Sequence, residues 1–219
     1  MNELSTKTPG WIYSFVDYQS MFALTDQDLT KKILDYWPAM NGFAATMHAQ
    51  QHSVIVVDPW NEPGVDLAAA SQNYLAALRA YWQTSTVNAI EPAAMVQAES
   101  VFLQDHQQYP EYYWPQAELT TIVEPRYFDL ALVSDWFFSQ RFSEAHTAVH
   151  LLNQLCHWAE EVRLFPLSDV TGSALPDIGP LLLNLQQRNL GVEVREVSFK
   201  GHPGGGAMLR VWSRECQVV

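Results

Sequence analysis

Positive charge is in short supply: 12 lysines and arginines stand against 24 aspartates and glutamates, a formal net charge of −12. Nucleic-acid backbones and anionic membrane surfaces would both be repelled, which argues against either as partner and favours a neutral or cationic ligand. Cysteine is nearly absent. Cys156, within a helical pattern, and Cys216, near the end, make no disulfide framework, so a reducing, cytoplasmic setting is expected. No apolar run approaches membrane-spanning length, and the first residues lack a basic region followed by an apolar core, so a soluble protein is expected. Repeats and low-complexity stretches are also missing. So are the HExxH, paired CxxC and GxSxG patterns of zinc sites and serine hydrolases. His48 and His52, like His146 and His150, stand four apart as helical zinc ligands can. Yet His146, His150, Asn153 and His157 trace the polar stripe of an apolar helix, which a solvated face explains without metal.

What is present in quantity is apolar surface, 48% of 219 residues, enough for a sizeable core in one domain. Eight Trp and nine Tyr suit aromatic-lined pockets or interfaces as well as an ordinary core. Residues 31–59 carry most of the information. Ile33-Leu34 leads as a short strand to Asp35. The segment Tyr36 to Asn41 is a connection containing Pro38, and a helix is predicted over 42–51, where Phe43 and Met47 recur at helical spacing. Val54 to Val57 is a β-branched run of the kind found in a buried parallel strand, stopped by Asp58-Pro59. Strand, helix and strand make a right-handed βαβ unit, whose ligands bind outside the carboxyl ends of the strands. Asp35 and Asp58 both fall there.

The rest arranges itself around that unit. Residues 1–30 read as an aromatic and helical lead-in, with Thr25 as the cap of a short helix and Asp28 in place of the usual Glu of a capping box. Two amphipathic helices, over 65–83 and 89–107, form a helical insertion spanning about 64–112. An aromatic loop over 109–115, a weak strand over 119–123 and a clear strand over 128–134 follow. A helix over 143–161, a strand over 162–167 and a helix over 180–189, ended by Gly191 as a left-handed cap, come next. Strands over 192–199 and 207–212, joined by a glycine-rich loop, make a terminal antiparallel pair. The aromatics at 11–18 and 109–114 offer either a lid or a homodimer contact.

This order, with Ile33-Leu34-Asp35, Val57-Asp58-Pro59, Phe128-Asp129-Leu130-Ala131-Leu132, Glu161 to Leu167 and Gly205 to Arg210 in sequence, resembles bacterial methyltransferase-like proteins of the class I, Rossmann-like, S-adenosylmethionine-dependent class. The resemblance runs from about residue 18 to residue 212. It implies an α/β fold with a doubly wound, mostly parallel seven-stranded sheet and an antiparallel terminal strand, all in one domain over 1–219. It also implies S-adenosylmethionine as cofactor and an unassigned methyl acceptor, a small molecule or a protein side chain. Asp35 would sit near the methionine end of the cofactor and Asp58, with Pro59, at the ribose hydroxyls. Tyr36, Trp37 and Ala39 would line the turn, Glu118 would stand near the adenine, and Ser134 and the candidate base Asp135 would face the methyl group. The departure is at Trp37 and Ala39, where the family has glycines that allow positive φ and close approach to the ligand. Trp37 would then cover the cofactor, through cation–π contact with the sulfonium, or replace it in a degenerate, non-catalytic binding module. Plainer readings stand beside these: Asp35 as a turn cap, Asp58-Pro59 as a strand stop and Asp135 as a solvated acid.

Overall fold

The computed structural model describes residues 11–84, 92–122, 124–134, 145–168, 172–173, 178–201 and 205–214. Two short helices open the chain, α1 (Phe15–Met21) and α2 (Asp26–Leu29), and each begins with a reciprocal capping box. In the second, Thr25 accepts from the Asp28 backbone while the Asp28 carboxylate accepts from Thr25, so Asp does the work of the usual Glu. Then come β1 (Ile33–Tyr36), α3 (Phe43–Ala49) and β2 (Val54–Val57), the expected βαβ unit. Both strands are buried along their whole length, as continuous apolar runs in a parallel sheet must be. Helices α4 (Leu67–Thr84) and α5 (Pro92–Gln108) lie between β2 and the very short β3 (Tyr113–Trp114). After α6 (Gln116–Ile122) the chain continues through β4 (Phe128–Val133), α7 (Ala145–Trp158), β5 (Ala159–Leu164), α8 (Ile178–Gln187), β6 (Leu190–Glu196) and β7 (Ala207–Ser213).

The seven strands form one sheet in the order β3-β2-β1-β4-β5-β7-β6, in which β7 alone runs antiparallel to its neighbours. Apolar side chains of the central strands, among them Ile33, Leu34, Val56, Leu132, Val162 and Leu209, meet Phe43, Met47, Leu152, Leu155 and Leu185 from the helices in one continuous core. Among the described residues, one guanidinium lies within it. Arg163, mid-strand in β5 and 4% exposed, forks onto both oxygens of Asp28 at 3.1 Å and donates to the Phe22 carbonyl at 3.0 Å, which ties α2 to the sheet.

Four local expectations change. The third strand is not at 119–123 but at Tyr113–Trp114, inside the stretch read as an aromatic loop, and a helix takes its place. The β-branched Thr120 and Thr121 suggested a strand, yet their hydroxyls bond back to the Ala117 carbonyl at 2.9 and 3.0 Å and Leu119 turns into the core. Strand β5 begins at Ala159, three residues before the sequence suggested, because pairing with β4 and β7 overrides the helical propensity of Ala-Glu-Glu. Asn189, not Gly191, takes the left-handed conformation after α8, at φ 60°. Gly191 belongs to β6, where an added Cβ would come within 2.2 Å of the Trp212 ring. Finally, Trp11, Ile12, Tyr13 and Tyr18, expected as surface aromatics, are buried within the chain itself.

Candidate functional site

The parallel register sets a row of residues along the carboxyl edge of the sheet. Val57 pairs with Tyr36, and Tyr36 with Val133, so the residues one step beyond, Asp58, Trp37 and Ser134, stand side by side. Phe165 follows on β5, its N–H reaching the Val133 carbonyl at 3.1 Å. This is the topological crevice of a doubly wound sheet.

The β1–α3 turn is built without its expected glycines but in their conformation. Trp37 and Ala39 both sit at φ 57°, the left-handed region, which costs a residue with a side chain about 1–3 kcal/mol. Specific bonds hold them there. The Trp37 N–H donates to Val57 O at 2.7 Å, and Asp58 Oδ2 accepts from the Ala39 N–H at 2.9 Å. Asp58 Oδ1 accepts from Trp60 at 3.0 Å, capping the 3₁₀ turn Pro59–Asn61. Asp58 is therefore a strand stop and the clamp of the neighbouring turn at once.

Asp35 lies 1% exposed and accepts from the Tyr18 hydroxyl at 3.2 Å, and that hydroxyl accepts in turn from Asn41 Nδ2 at 2.9 Å. Asn41 Oδ1 takes the Tyr13 N–H at 2.5 Å, so the segment before α1 is stitched across the turn. On the other side, Tyr36 OH and the Trp37 indole N–H both donate to Gln116 Oε1, at 3.0 and 3.2 Å. The two rings stack with centroids 5.9 Å apart, and the Gln116 N–H is itself held by Glu62 at 3.0 Å. The indole is thus drawn toward β3 and α6.

The electrostatics are unusual. Burial pushes the Asp58 carboxyl up to about 7, against the lowering effect of the Trp60 and Ala39 N–H groups. Burial also raises Asp35 well above the carboxylate range; the Tyr18 hydrogen bond opposes this and the neighbouring Asp58 adds to it. Neither acid forms an ion pair among the described residues. Close by, Ser134 Oγ is fully buried with no partner among the described residues. Two buried carboxyls without a cation among the described residues, and an orphaned hydroxyl on the same edge, suit a ligand that brings positive charge and hydrogen-bond donors.

Of the residues singled out from sequence, Asp35, Tyr36, Trp37, Ala39, Asp58, Pro59 and Ser134 come together on this edge. Glu118 stands half-buried in α6, two residues beyond the contact that Gln116 makes. Asp135 lies outside the described residues. Gln116, Asn41 and Tyr18 were not anticipated. Asn41 closes the turn and Tyr18 belongs to the aromatic cluster, but nothing near Gln116 in sequence announces partners about 80 residues away. A second polar cluster was also hidden. His48 Nδ1 meets Asp105 Oδ2 at 2.6 Å and Nε2 meets Val54 O at 2.8 Å, while the Tyr113 hydroxyl donates to the same Asp105 oxygen at 2.6 Å. No group of three or more His, Cys, Asp or Glu side chains poised for a metal occurs among the described residues. No helix there is long and apolar enough to cross a membrane.

No protein-family model matches the chain, and no curated protein matches it. Solved structures do. The bifunctional kinase-methyltransferase WbdD is 12% identical at TM-score 0.51, with 94% of this chain and 40% of that chain covered. A second structure of WbdD, at 2.2 Å, is 14% identical at the same TM-score and coverage. This chain therefore spans about two fifths of the WbdD chains. Magnesium protoporphyrin IX methyltransferase from Synechocystis PCC 6803, with bound SAH, is 12% identical at TM-score 0.50, covering 90% of this chain and 81% of that one. At such identities the likeness is one of architecture: the fold is that of the class I methyltransferases.

Proposed function

We propose that this chain binds S-adenosylmethionine at the carboxyl edge of its sheet and transfers the methyl group to a small molecule or a protein side chain. The observation that carries the reading is the pair of buried acids, Asp35 and Asp58, which lack any cation among the described residues. When bound, the cofactor supplies a sulfonium whose methyl group is open to nucleophilic attack. The chain's part is to bind, orient and exclude water. Asp58 keeps lone pairs beyond those given to Ala39 and Trp60, and these accept ribose hydroxyls. Asp35 offsets positive charge at the methionine end. Ser134 Oγ, next to Trp37 in the edge row, gains a partner on the ligand. Holding acceptor and methyl group in line then provides much of the acceleration. Asp135 remains the candidate base, from its place just past β4. A second reading is favoured by one observation: the Trp37 indole is 4% exposed and bonded to Gln116, so it can fill the crevice and leave the fold as a binding module.

Thermal unfolding with S-adenosylmethionine or S-adenosylhomocysteine separates the two. At about 100 times Kd the ligand adds ~2.7 kcal/mol, which raises Tm by roughly 5–11 °C for a chain of this size. Asp58→Asn, which keeps an acceptor for the turn, should weaken binding about tenfold, the loss of a charge-assisted hydrogen bond. The absence of any shift with either ligand at millimolar concentration rejects the cofactor and leaves the module.

A further inference from the structure

Strand β6 closes one side of the sheet, and among the described residues nothing but β7 pairs with it. The register shows which groups its outer edge presents. One pair beyond each end of the ladder, the Val197 N–H donates to Gly206 O at 2.9 Å and the Arg214 N–H to Asn189 O at 3.1 Å. Bonded positions alternate along an antiparallel pair, so Gly191, Glu193 and Arg195 bond inward to β7. The N–H and C=O groups of Val192, Val194 and Glu196 therefore point outward. Residues 193–196 are all exposed, and Val194 keeps 51% of its surface open.

Charges on a free edge ordinarily repel any strand laid against it. Here they are complementary to themselves, because Glu193 and Arg195 lie symmetrically about Val194. When a second copy runs antiparallel along the edge with Val194 opposite Val194, Glu193 of each copy stands opposite Arg195 of the other. These are non-hydrogen-bonded positions, where facing side chains come closest. The outward main-chain groups meet in the same register, Val194 with Val194 and Val192 with Glu196 of the second copy. Moving the two-fold axis one residue either way sets Glu193 against Glu193 or Arg195 against Arg195, so charge selects the register. Arg195 makes no ion pair among the described residues. Glu193 takes Arg210 Nη1 on Oε2 at 2.6 Å and ends a run of alternating charges, Asp28, Arg163, Glu161, Arg210 and Glu193, across one face of the sheet. Arg195 of a second copy is the next cation in that series.

We propose that β6 is the surface through which two copies of this chain pair, edge to edge about a two-fold axis, into one continuous sheet. Each copy carries a net charge of −12, but repulsion between the bodies is screened beyond about 8 Å. The contacts at the edge then decide. A strand this short makes a small interface, so the dimer is reversible and half formed at roughly tens of micromolar. The surface stands apart from the carboxyl edge and does not depend on the methyltransferase reading.

The test is sedimentation equilibrium of the full chain in reducing buffer, from about 5 to 500 μM so as to bracket that Kd. Wild type should pass from the 24.9 kDa of one chain toward twice that mass. Val194→Pro removes an outward N–H that β7 does not use, so it should stay folded and lose the dimer. Arg195→Glu and Glu193→Lys each set like charges opposite one another, and each should weaken pairing at least about tenfold. Mixing those two charge variants puts opposite charges at both positions again, so the mixture should dimerise where neither variant does alone. A wild type that keeps the mass of one chain throughout would overturn the proposal. So would a dimer of unchanged affinity in Val194→Pro, or a mixture of folded charge variants as monomeric as its components. Should circular dichroism show Val194→Pro unfolded, the charge variants decide.

Discussion

Asp58 accepts two backbone N–H bonds, and such bonds favour the ionised carboxyl, yet burial outweighs them and pushes it up to about 7. The consequence is a stability that depends on pH with a definite sign. In the unfolded chain this acid releases its proton near 3.8, while in the folded chain it keeps the proton to about 7. Between those values the folded state binds more protons, so stability falls as pH rises through the window. Asp35, also raised by burial, acts in the same direction. Asp28 belongs to a different window. Burial alone would raise it, but hydrogen bonds from Lys31, the Thr25 backbone and Arg163 hold it far below the carboxylate range, so its contribution is present above that range and lost on acidification. His106, lowered by burial, opposes Asp58 as pH crosses the ordinary histidine value of 6.5. A comparison of variants isolates the one group. Asp58→Asn should show a shallower fall of Tm than wild type from about pH 5 to pH 7.5 by scanning calorimetry. Parallel curves for the two proteins would mean that Asp58 is ionised throughout.

Between elements, the joint most dependent on polar chemistry is that of α5 with α3 and β2. Ala98 of α5 approaches so closely that a Cβ on Gly42 would stand 3.3 Å from its Cα. Deeper in, the Val54 carbonyl can only accept, so His48 Nε2 carries a proton. The 2.6 Å contact between Nδ1 and Asp105 needs a second one, since two bare lone pairs would repel. Tyr112 stacks on the imidazole at 4.4 Å and seals it, and Tyr113 brings β3 to the same carboxylate. One histidine thus fastens the helices inserted after β2 to the sheet. His48→Leu would leave the buried Asp105 with the Tyr113 hydroxyl but without its imidazole, a change that costs about 3–5 kcal/mol and should lower Tm by roughly 6–20 °C. Asp105→Asn, whose amide keeps hydrogen-bonding capacity, should cost less. Hydrogen exchange distinguishes a local from a general effect: amides of α5 should exchange faster in His48→Leu, while those of β4, β5 and β7 keep their protection. Uniform loss of protection would show that the latch supports the whole sheet.

For the molecule as a whole, the first βαβ unit and the acid-bearing edge were legible because continuous apolar runs such as those of β2 and β4 report burial directly in their composition. What stayed hidden was set by partners distant in sequence. Two residues, Tyr113–Trp114, are too few to show a period, and Gln116 looks like any polar helix start until Tyr36 and Trp37 fold onto it. The lead-in was legible as aromatic but not as structural. Trp11, Ile12 and Tyr13 are at most 2% exposed, Tyr13 exchanges backbone bonds with Asn41 Oδ1 and the Gly42 N–H, and Tyr18 reaches Asp35. That segment closes the carboxyl edge over the β1–α3 turn, which itself holds Trp37 and Ala39 at a conformational cost. Burying three large side chains contributes at most about 5–9 kcal/mol, comparable with the whole net stability of a typical domain, about 5–15 kcal/mol. A chain that begins at Ser14 should therefore lose cooperative unfolding and bind neither S-adenosylmethionine nor S-adenosylhomocysteine, as circular dichroism melting and calorimetry can establish. A sharp transition within a few degrees of the full chain would mean instead that the turn holds its left-handed residues unaided, and that the aromatic strap only covers the edge it was taken to support.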